Sequence, residues 1–206
     1  MPKIVDAEAR RTDIVAAVFR IIAVDGLERA SLREVADEAG LAVGSVRHYF
    51  AGSEEMLSHS FAVVVDRITA RLQAALPAVT ENTSASGQHR EAVLTLLGEL
   101  LPLDEERAVD ICVWMAFRNA ARIRPFLAPI GDRSHREVAA VIGQVVSSLV
   151  TDDGDGHHPL VVEAERLLAT IDGLCMHALL QPEWMTAAMC RDVLERHLTS
   201  LAVPVA

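Results

Sequence analysis

The chain contains 206 residues with a formal net charge of −10, and 51% of its residues are hydrophobic. An apolar fraction of this size excludes a disordered chain and is enough to bury a substantial core in one large or two small domains. Aromatic, proline and glycine residues are few, whereas Ala, Leu, Val and Arg are abundant, so we expect an all-α protein.

The expected compartment is the reducing cytoplasm. No basic-then-apolar leader opens the chain, and no apolar run reaches the roughly 18 residues of a membrane span, so we expect a soluble protein without membrane association. Cys112, Cys175 and Cys190 are odd in number and widely spaced, which fits neither a disulfide framework nor a zinc site. Thiol sensing by the last two is the alternative to inert, buried side chains.

The first predicted helix runs from about Ala7 to Asp25 and ends before Gly26. Its apolar residues recur at helical spacing and predict a buried face. That face consists of Ile14, Val15, Val18, Phe19 and Ile22. We expect this helix to brace the two short helices that follow it.

Residues 31–50 carry the pattern of two short helices joined by a tight turn. Ser31 and Glu34 have the spacing of a capping box, which predicts a helix that begins at Leu32. Gly40 predicts the end of that helix, because glycine adopts the left-handed conformation that follows many helices. The pattern therefore predicts a helix-turn-helix.

The second short helix is predicted to present a polar outward face. Val46 and Phe50 are four residues apart and point inward, which turns the other side chains toward solvent. The outward residues, with those of the first turn, are Val43, Gly44, Ser45, Arg47 and His48. Such a face suits the major groove of DNA, and the Tyr49 hydroxyl is available for a phosphate. An ordinary helical hairpin is the alternative.

The remainder of the chain is predicted to form helices separated by prolines and polar loops, which gives nine helices in all. The further helices are Ser53 to Leu76, Arg90 to Leu101, Glu105 to Arg122 after an Asp104 cap, Ser134 to Leu149, Pro159 to Leu180, and a helix capped by Thr186 that runs to Leu201. Loops are predicted from Thr80 to Gln88 and from Thr151 to His158. The acidic and histidine residues of the second loop lack calcium or zinc spacing, so we expect a surface loop without metal.

The acidic net charge is unevenly distributed along the chain. Residues 1–52 hold seven Lys/Arg against eight Asp/Glu, whereas residues 53–206 hold twelve against twenty-one. Phosphate contacts supply much of the affinity of proteins for DNA, so the nearly neutral first segment is the part compatible with DNA binding. The cations expected to lie near DNA are Lys3, Arg10, Arg11, Arg33, Arg47 and His48.

Residues 10–57 resemble the DNA-binding domain of the TetR family of bacterial transcriptional regulators. The matching positions are Arg10-Arg11, Ile14, Ala17, Phe19, Gly26, Ser31, Val35-Ala36, Ala39-Gly40, Gly44, Val46, Tyr49-Phe50, Ser53, Glu55 and Leu57. The resemblance implies a DNA-binding domain of residues 1–52 that contacts double-stranded DNA. Its implied contacts are Arg10, Arg11, Ser31, Arg33, Val43, Gly44, Ser45, Arg47, His48 and Tyr49.

Residues 53–206 are predicted to form a helical effector-binding and dimerisation domain. The helices predicted at 159–180 and 186–201 carry more apolar residues than one small bundle face needs, which indicates a partner. In the TetR family the last two helices of each subunit pair, so the resemblance implies a homodimer that presents two recognition helices to a palindromic operator. A monomer that buries these helices in its own core is the alternative.

From Arg90 onward the chain resembles the branch of the family whose C-terminal domain is of the BetI type. The matching residues are Arg107, 113–117, 171–174 and 178–182. The resemblance implies a small-molecule effector that moves the long helix after residue 53, but the fold does not identify that molecule. The predicted effector pocket consists of Trp114, Met115, Phe117, Arg118, Asn119, Arg122, Asp172 and His177.

The chemistry of the predicted pocket stays open at this point. Trp114 near Asp172 would suit a cationic effector, whereas Arg118 and Arg122 would suit an acid. Each residue also has a structural interpretation, with Trp114 as a core side chain and the arginines as a solvated helix face.

No motif predicts an enzyme. The chain lacks a glycine-rich phosphate loop, a Gly-x-Ser-x-Gly elbow and a paired histidine motif, so we expect no catalytic residue and no cofactor. A helical adaptor that binds protein without binding DNA is the competing interpretation, but it leaves the polar face of residues 43–49 unexplained. The sequence therefore predicts a ligand-responsive transcriptional repressor.

Overall fold

The structure, a computed structural model, describes residues 7–82, 87–149 and 160–201. Within these ranges the chain forms nine α-helices, one short 3-10 helix and no strands, which confirms the expected all-α fold. The α-helices are α1 Ala7–Asp25, α2 Leu32–Glu38, α3 Val43–Tyr49, α4 Ser53–Glu81, α5 Gly87–Gly98, α6 Glu105–Ala121, α7 Ala128–Leu149, α8 Leu160–Leu180 and α9 Ala187–Leu201. The 3-10 helix is Leu27–Arg29. None of the helices in the described ranges is long and apolar enough to cross a membrane.

The described residues pack into two compact units, each built from two separate stretches of chain. The first unit contains residues 7–66 and 112–133, and the second contains the described residues of 67–111 and 134–201. Three helices, α4, α6 and α7, therefore contribute residues to both units. These units do not test the predicted boundary at residues 52 and 53 between a DNA-binding domain and an effector-binding domain, which stays a prediction.

In the first unit the later stretch of chain packs directly on α4. The rings of Phe61 and Phe117 stack with centroids 5.0 Å apart and an interplanar angle of 13°. Gly131 approaches α6 so closely that an added Cβ would lie 3.1 Å from the Cβ of Ala121. Arg133 pairs with Asp66 at 2.7 Å. The end of α6 and the start of α7 are thus held against the first half of α4.

In the second unit a buried carboxylate joins α4 to α6. Asp110 is 1% exposed, and its oxygens accept hydrogen bonds from Arg71 at 2.7 Å and from Arg67 at 3.3 Å. Glu99, which follows α5, pairs with Arg71 and Arg107 at 3.2 and 3.1 Å. A buried charge is tolerated when it is paired in this way.

Helix α4 extends beyond its predicted end at Leu76. It continues through Pro77 to Glu81, so the predicted loop of Thr80 to Gln88 is wrong at its start. Val79 is 2% exposed, and its carbonyl accepts a hydrogen bond from Nδ1 of buried His89 at 3.1 Å. The last turn of α4 is thus bonded to α5, although the proline within the helix lacks an amide donor.

The following helices also depart from the predicted bounds. Helix α5 occupies Gly87–Gly98 rather than Arg90 to Leu101, and α7 begins at Ala128 rather than Ser134. Pro129 fits the first turn of α7, where its missing N–H is not needed. Ser134 is 1% exposed and lies inside the helix, so its predicted capping role is wrong.

Two other predicted helix starts are confirmed. Oδ1 of Asp104 accepts a hydrogen bond from the Arg107 amide at 2.8 Å, and Oγ1 of Thr186 accepts one from the Met189 amide at 3.3 Å. Helix α6 ends at Ala121, one residue before the predicted end. Pro159 and the loop of residues 151–158 lie outside the described residues.

His197 makes the stability of the α8–α9 pair sensitive to pH. Burial lowers the pKa of His197 below its ordinary value, Arg166 lowers it further, and Glu163 opposes them. The neutral ring therefore contributes stability above about pH 6.5, and this contribution is lost as pH falls through the lowered pKa. We expect the urea concentration at the midpoint of unfolding to decrease when the pH is lowered from about 7.5 to about 5. The decrease should be larger in the native chain than in His197→Gln. Equal falls in both proteins would contradict this role of His197.

Candidate nucleic-acid interface

Helix α2 begins where the sequence places it, although only half of the predicted capping box forms. Oγ of Ser31 accepts a hydrogen bond from the Glu34 amide at 3.2 Å. The carboxylate of Glu34 pairs instead with Arg29 at 3.3 Å, and the Ser31 amide donates to the Arg29 carbonyl at 2.7 Å. The reciprocal bond is absent because the 3-10 turn before α2 already satisfies that amide.

The turn between α2 and α3 is closed by Gly40, which has a φ of +65°. The Gly40 amide donates to the Asp37 carbonyl at 3.2 Å, and the Leu41 amide donates to the Ala36 carbonyl at 2.8 Å. This pair of bonds is the Schellman arrangement, which satisfies the last carbonyls of a helix and requires a left-handed residue. The predicted role of Gly40 is confirmed.

Replacing Gly40 with alanine is expected to destabilise the fold. The left-handed conformation costs a residue with a Cβ about 1–2 kcal/mol, so the free energy of unfolding should fall by about that amount. Urea unfolding measures the change. Gly143→Ala is the matched control, because Gly143 lies within α7 with open space around an added Cβ, and helical propensity predicts a gain of up to about 1 kcal/mol. A neutral Gly40→Ala substitution would contradict the strain argument.

Helix α3 presents the polar face that the sequence predicts. Val46 and Phe50 are 0% and 1% exposed, and they anchor the helix to the core of the first unit. The exposed residues of α3, called the reading face below, are Gly44, Ser45, Arg47 and His48. Val43 and Tyr49 are half-buried at its two ends. Contact of these residues with DNA stays a prediction.

Arg11, a predicted DNA contact, supports the end of α3. Its Nη2 donates to the Tyr49 carbonyl at 3.0 Å, and its guanidinium carbon lies 5.2 Å from the centroid of the Phe50 ring. A cation at a helix C-terminus satisfies free carbonyls and complements the helix dipole. The geometry thus gives Arg11 a positioning role for α3. Arg10 forms an exposed ion pair with Asp13 at 3.3 Å. Lys3 lies outside the described residues.

The acidic residues around the helix-turn-helix are largely paired with other arginines. Glu38 pairs with Arg20 at 2.5 Å, and Glu28 pairs with Arg124 at 2.6 Å. Among the described residues, exposed Arg33 and Arg47 pair with no carboxylate. Two unneutralised guanidinium groups therefore remain on α2 and α3 despite the acidic net charge, and they are available to phosphates or base edges.

The ion pair between Glu28 and Arg124 is not predictable from the sequence. It joins the turn before α2 to the segment after α6, across 96 positions of sequence. Neither a periodic pattern nor a motif marks a pair with this separation, so only the folded chain reveals it.

The predicted effector residues are divided between the two units. On α6, Trp114 and Phe117 are 2% and 0% exposed, Met115 and Arg118 are half-buried, and Asn119 is exposed. Arg122 follows α6 and is exposed. These six residues belong to the first unit, whereas half-buried Asp172 and exposed His177 lie on α8 in the second. Within the first unit, the Arg118 guanidinium lies over the Trp114 ring at 4.4 Å. The pocket as a whole stays a prediction.

The fold and the reading face together define a helix-turn-helix regulator. Residues 14–59 match the family model described as bacterial regulatory proteins of the tetR family, and residues 89–203 match the model described as BetI-type transcriptional repressor, C-terminal. The chain belongs to the TetR family of transcriptional regulators, with a C-terminal domain of the BetI type. Its relatives are transcriptional regulators and not enzymes.

The similarity to other proteins covers nearly the whole chain. The HTH-type transcriptional regulator PksA of Bacillus subtilis (strain 168) is 34% identical over 98% of this chain and 95% of its own. A transcriptional regulator from Rhodococcus sp. Rha1 has a TM-score of 0.77 at 29% identity, covering 95% of this chain and 99% of its own. A regulator from Saccharomonospora viridis, solved in complex with choline, has a TM-score of 0.79 at 18% identity, covering 93% and 96%, and shows likeness of fold.

Proposed function

We propose that this protein is a ligand-responsive repressor that binds a palindromic operator as a homodimer. The observation that carries the proposal is the reading face, a set of small, polar and cationic groups held outward by the buried Val46. Membership of the TetR family supplies the class of function. The proposal adds the partner copy, the operator symmetry, the effector and the sign of regulation, together with action in the cytoplasm.

The proposed DNA contacts are divided by chemistry. Arg47, Ser45 and His48 read base edges in the major groove, since their side chains carry the hydrogen-bonding groups of the exposed helix. Gly44 and Val43 allow close approach of the helix to the bases. The hydroxyls of Ser31 and Tyr49 and the guanidinium groups of Arg33 and Arg10 bind phosphates, while Arg11 holds α3 in place.

The proposed homodimer is supported by the apolar surface of the last two helices. Several large hydrophobic side chains of α8, α9 and the turn between them are between 37% and 75% exposed. They are Leu160, Val161, Val162, Met176, Leu180, Trp184, Met189 and Val193. Exposed apolar patches of this kind mark protein interfaces. A two-fold dimer would place two reading faces about 34 Å apart, which is one turn of DNA.

The proposed effector is a small molecule bound next to α6. A protein of the same fold has been solved with choline, which supports a ligand cavity in this fold. We propose that the effector shifts α4 and so changes the spacing of the two reading faces. A coupling free energy of about 1–3 kcal/mol between effector and DNA changes the affinity for the operator roughly 5- to 150-fold.

A gel-shift titration tests the proposed function. The native chain is titrated against duplexes that flank its own gene and against a shuffled duplex of equal length, at low and moderate salt. We expect a complex of two protomers with the flanking duplex, with affinity that falls as salt rises because phosphates are neutralised. Equal affinity for both duplexes, or no complex at low salt, would overturn operator recognition.

A further inference from the structure

The buried Trp114 ring already has a cation against its face. Trp114 and Arg118 are separated by one helical turn on α6, and the guanidinium carbon of Arg118 lies 4.4 Å from the centroid of the ring. Only 2% of Trp114 is exposed. A cation within about 6 Å of an aromatic face is attracted by the ring quadrupole, and the attraction grows when the pair is removed from water.

A free cation can use this ring face only by displacing Arg118. Arg118 is attached to the same helix, so its effective concentration at the ring is high and its stacking requires no loss of translational freedom. Proteins bind quaternary ammonium ions through aromatic faces. Such an ion has no N–H group, so it cannot replace a lost aromatic contact with a hydrogen bond that it donates. The resident guanidinium is therefore a direct competitor of such ligands.

We propose that Arg118 is a specificity-determining residue, a tethered cation that excludes quaternary ammonium ions from Trp114. Such ions then cannot bind through this face of Trp114 while Arg118 covers it. This inference rests on the proposed function, because it assumes that this part of α6 faces the effector. It argues against a quaternary ammonium effector held by Trp114, which belongs to the cationic class that the sequence leaves open.

The chain offers a clean reporter and a matched control. It has two tryptophans, Trp114 and the 75% exposed Trp184. In the Trp184→Phe variant, Trp114 is therefore the single source of tryptophan fluorescence. Arg122 lies four residues after Arg118, just beyond the end of α6, and is exposed. Arg122→Ala removes the same charge from the same segment while Arg118 stays over the ring.

The experiment is a fluorescence titration with tetramethylammonium chloride at constant ionic strength, in the Trp184→Phe background. We expect no saturable change with the unaltered Arg118 or with Arg122→Ala. Arg118→Ala should show saturable binding, with a Kd at least tenfold below any limit set by the parent. Ethylguanidinium, which restores the missing group, should compete with tetramethylammonium in Arg118→Ala.

Several results would overturn the proposal. These are equal binding by the parent and Arg118→Ala, or a gain in Arg122→Ala as large as that in Arg118→Ala. Arg118→Met, which keeps an unbranched stem without the charge, serves if the alanine variant does not fold, and it too should gain binding. A gel shift with the Trp184→Phe protein distinguishes failure of this proposal from failure of the proposed function. If that protein binds the operator but also binds tetramethylammonium, only the proposed role of Arg118 is contradicted.

Discussion

Replacing Arg47 with alanine is expected to abolish most operator recognition while leaving the fold intact. Arg47 is exposed on the reading face, and no carboxylate among the described residues neutralises it. A good contact between arginine and a base is worth about 1–3 kcal/mol. In a dimer the contact is lost in both half-sites, so the loss is about 2–6 kcal/mol, or at least about 30-fold in Kd. Fluorescence anisotropy with the operator duplex measures this change.

Arg20→Ala is the matched control for Arg47→Ala. Both variants remove one exposed guanidinium from the helix-turn-helix region, but Arg20 is engaged by Glu38 at 2.5 Å. We expect only a small change in operator affinity for Arg20→Ala, and similar melting curves for both variants. Tyr49→Phe, which removes only a hydroxyl, should give an intermediate loss of affinity. Unchanged binding by Arg47→Ala and Tyr49→Phe together would remove the proposed contacts.

Replacing Leu180 with glutamate is expected to convert the protein to monomers. The Leu180 side chain is 66% exposed at the end of α8, within the apolar surface assigned to the dimer. A carboxylate buried there would lack a partner, which costs several kcal/mol. Loss of the second reading face removes avidity, so operator affinity should fall by roughly 100-fold or more. Sedimentation velocity reports the mass, and gel shift reports the affinity.

Ile123→Glu controls for the charge and for the loss of an exposed apolar side chain. Ile123 is 69% exposed, nearly the same as Leu180, but it lies after α6 in the first unit. We expect this variant to remain dimeric and to keep its operator affinity. A dimeric Leu180→Glu protein would show that α8 does not form the interface, and a monomeric parent would contradict the homodimer itself.

The helix-turn-helix could be predicted closely because its signals are local. Ser31 caps α2 through an amide three residues away, and Gly40 ends it through its own backbone conformation. The spacing of Val46 and Phe50 then determines which side of α3 is buried. Each of these signals acts within one or two helical turns, so the sequence carries them without knowledge of the tertiary structure.

The missed features depend on packing between distant segments. A proline signals the end of a helix, but burial of Val79 against His89 allows α4 to continue beyond Pro77. A serine and a glutamate three residues apart signal a helix start, but Ser134 lies buried inside α7. The sequence leaves the chemistry at Trp114 open, because the four-residue separation from Arg118 permits stacking of the guanidinium on the ring without requiring it.

Because Phe61 stacks on Phe117, a fragment that contains only the first stretch of the first unit is expected to lose part of that unit's packing. A fragment that stops at residue 66 would leave the Phe61 ring facing water and Glu28 without its guanidinium. We therefore expect that a transfer of the helices of residues 7–66 to another protein would also need residues 112–133. The first unit consists of two separate segments of the sequence, so a fragment defined by one continuous range of residue numbers would omit part of it.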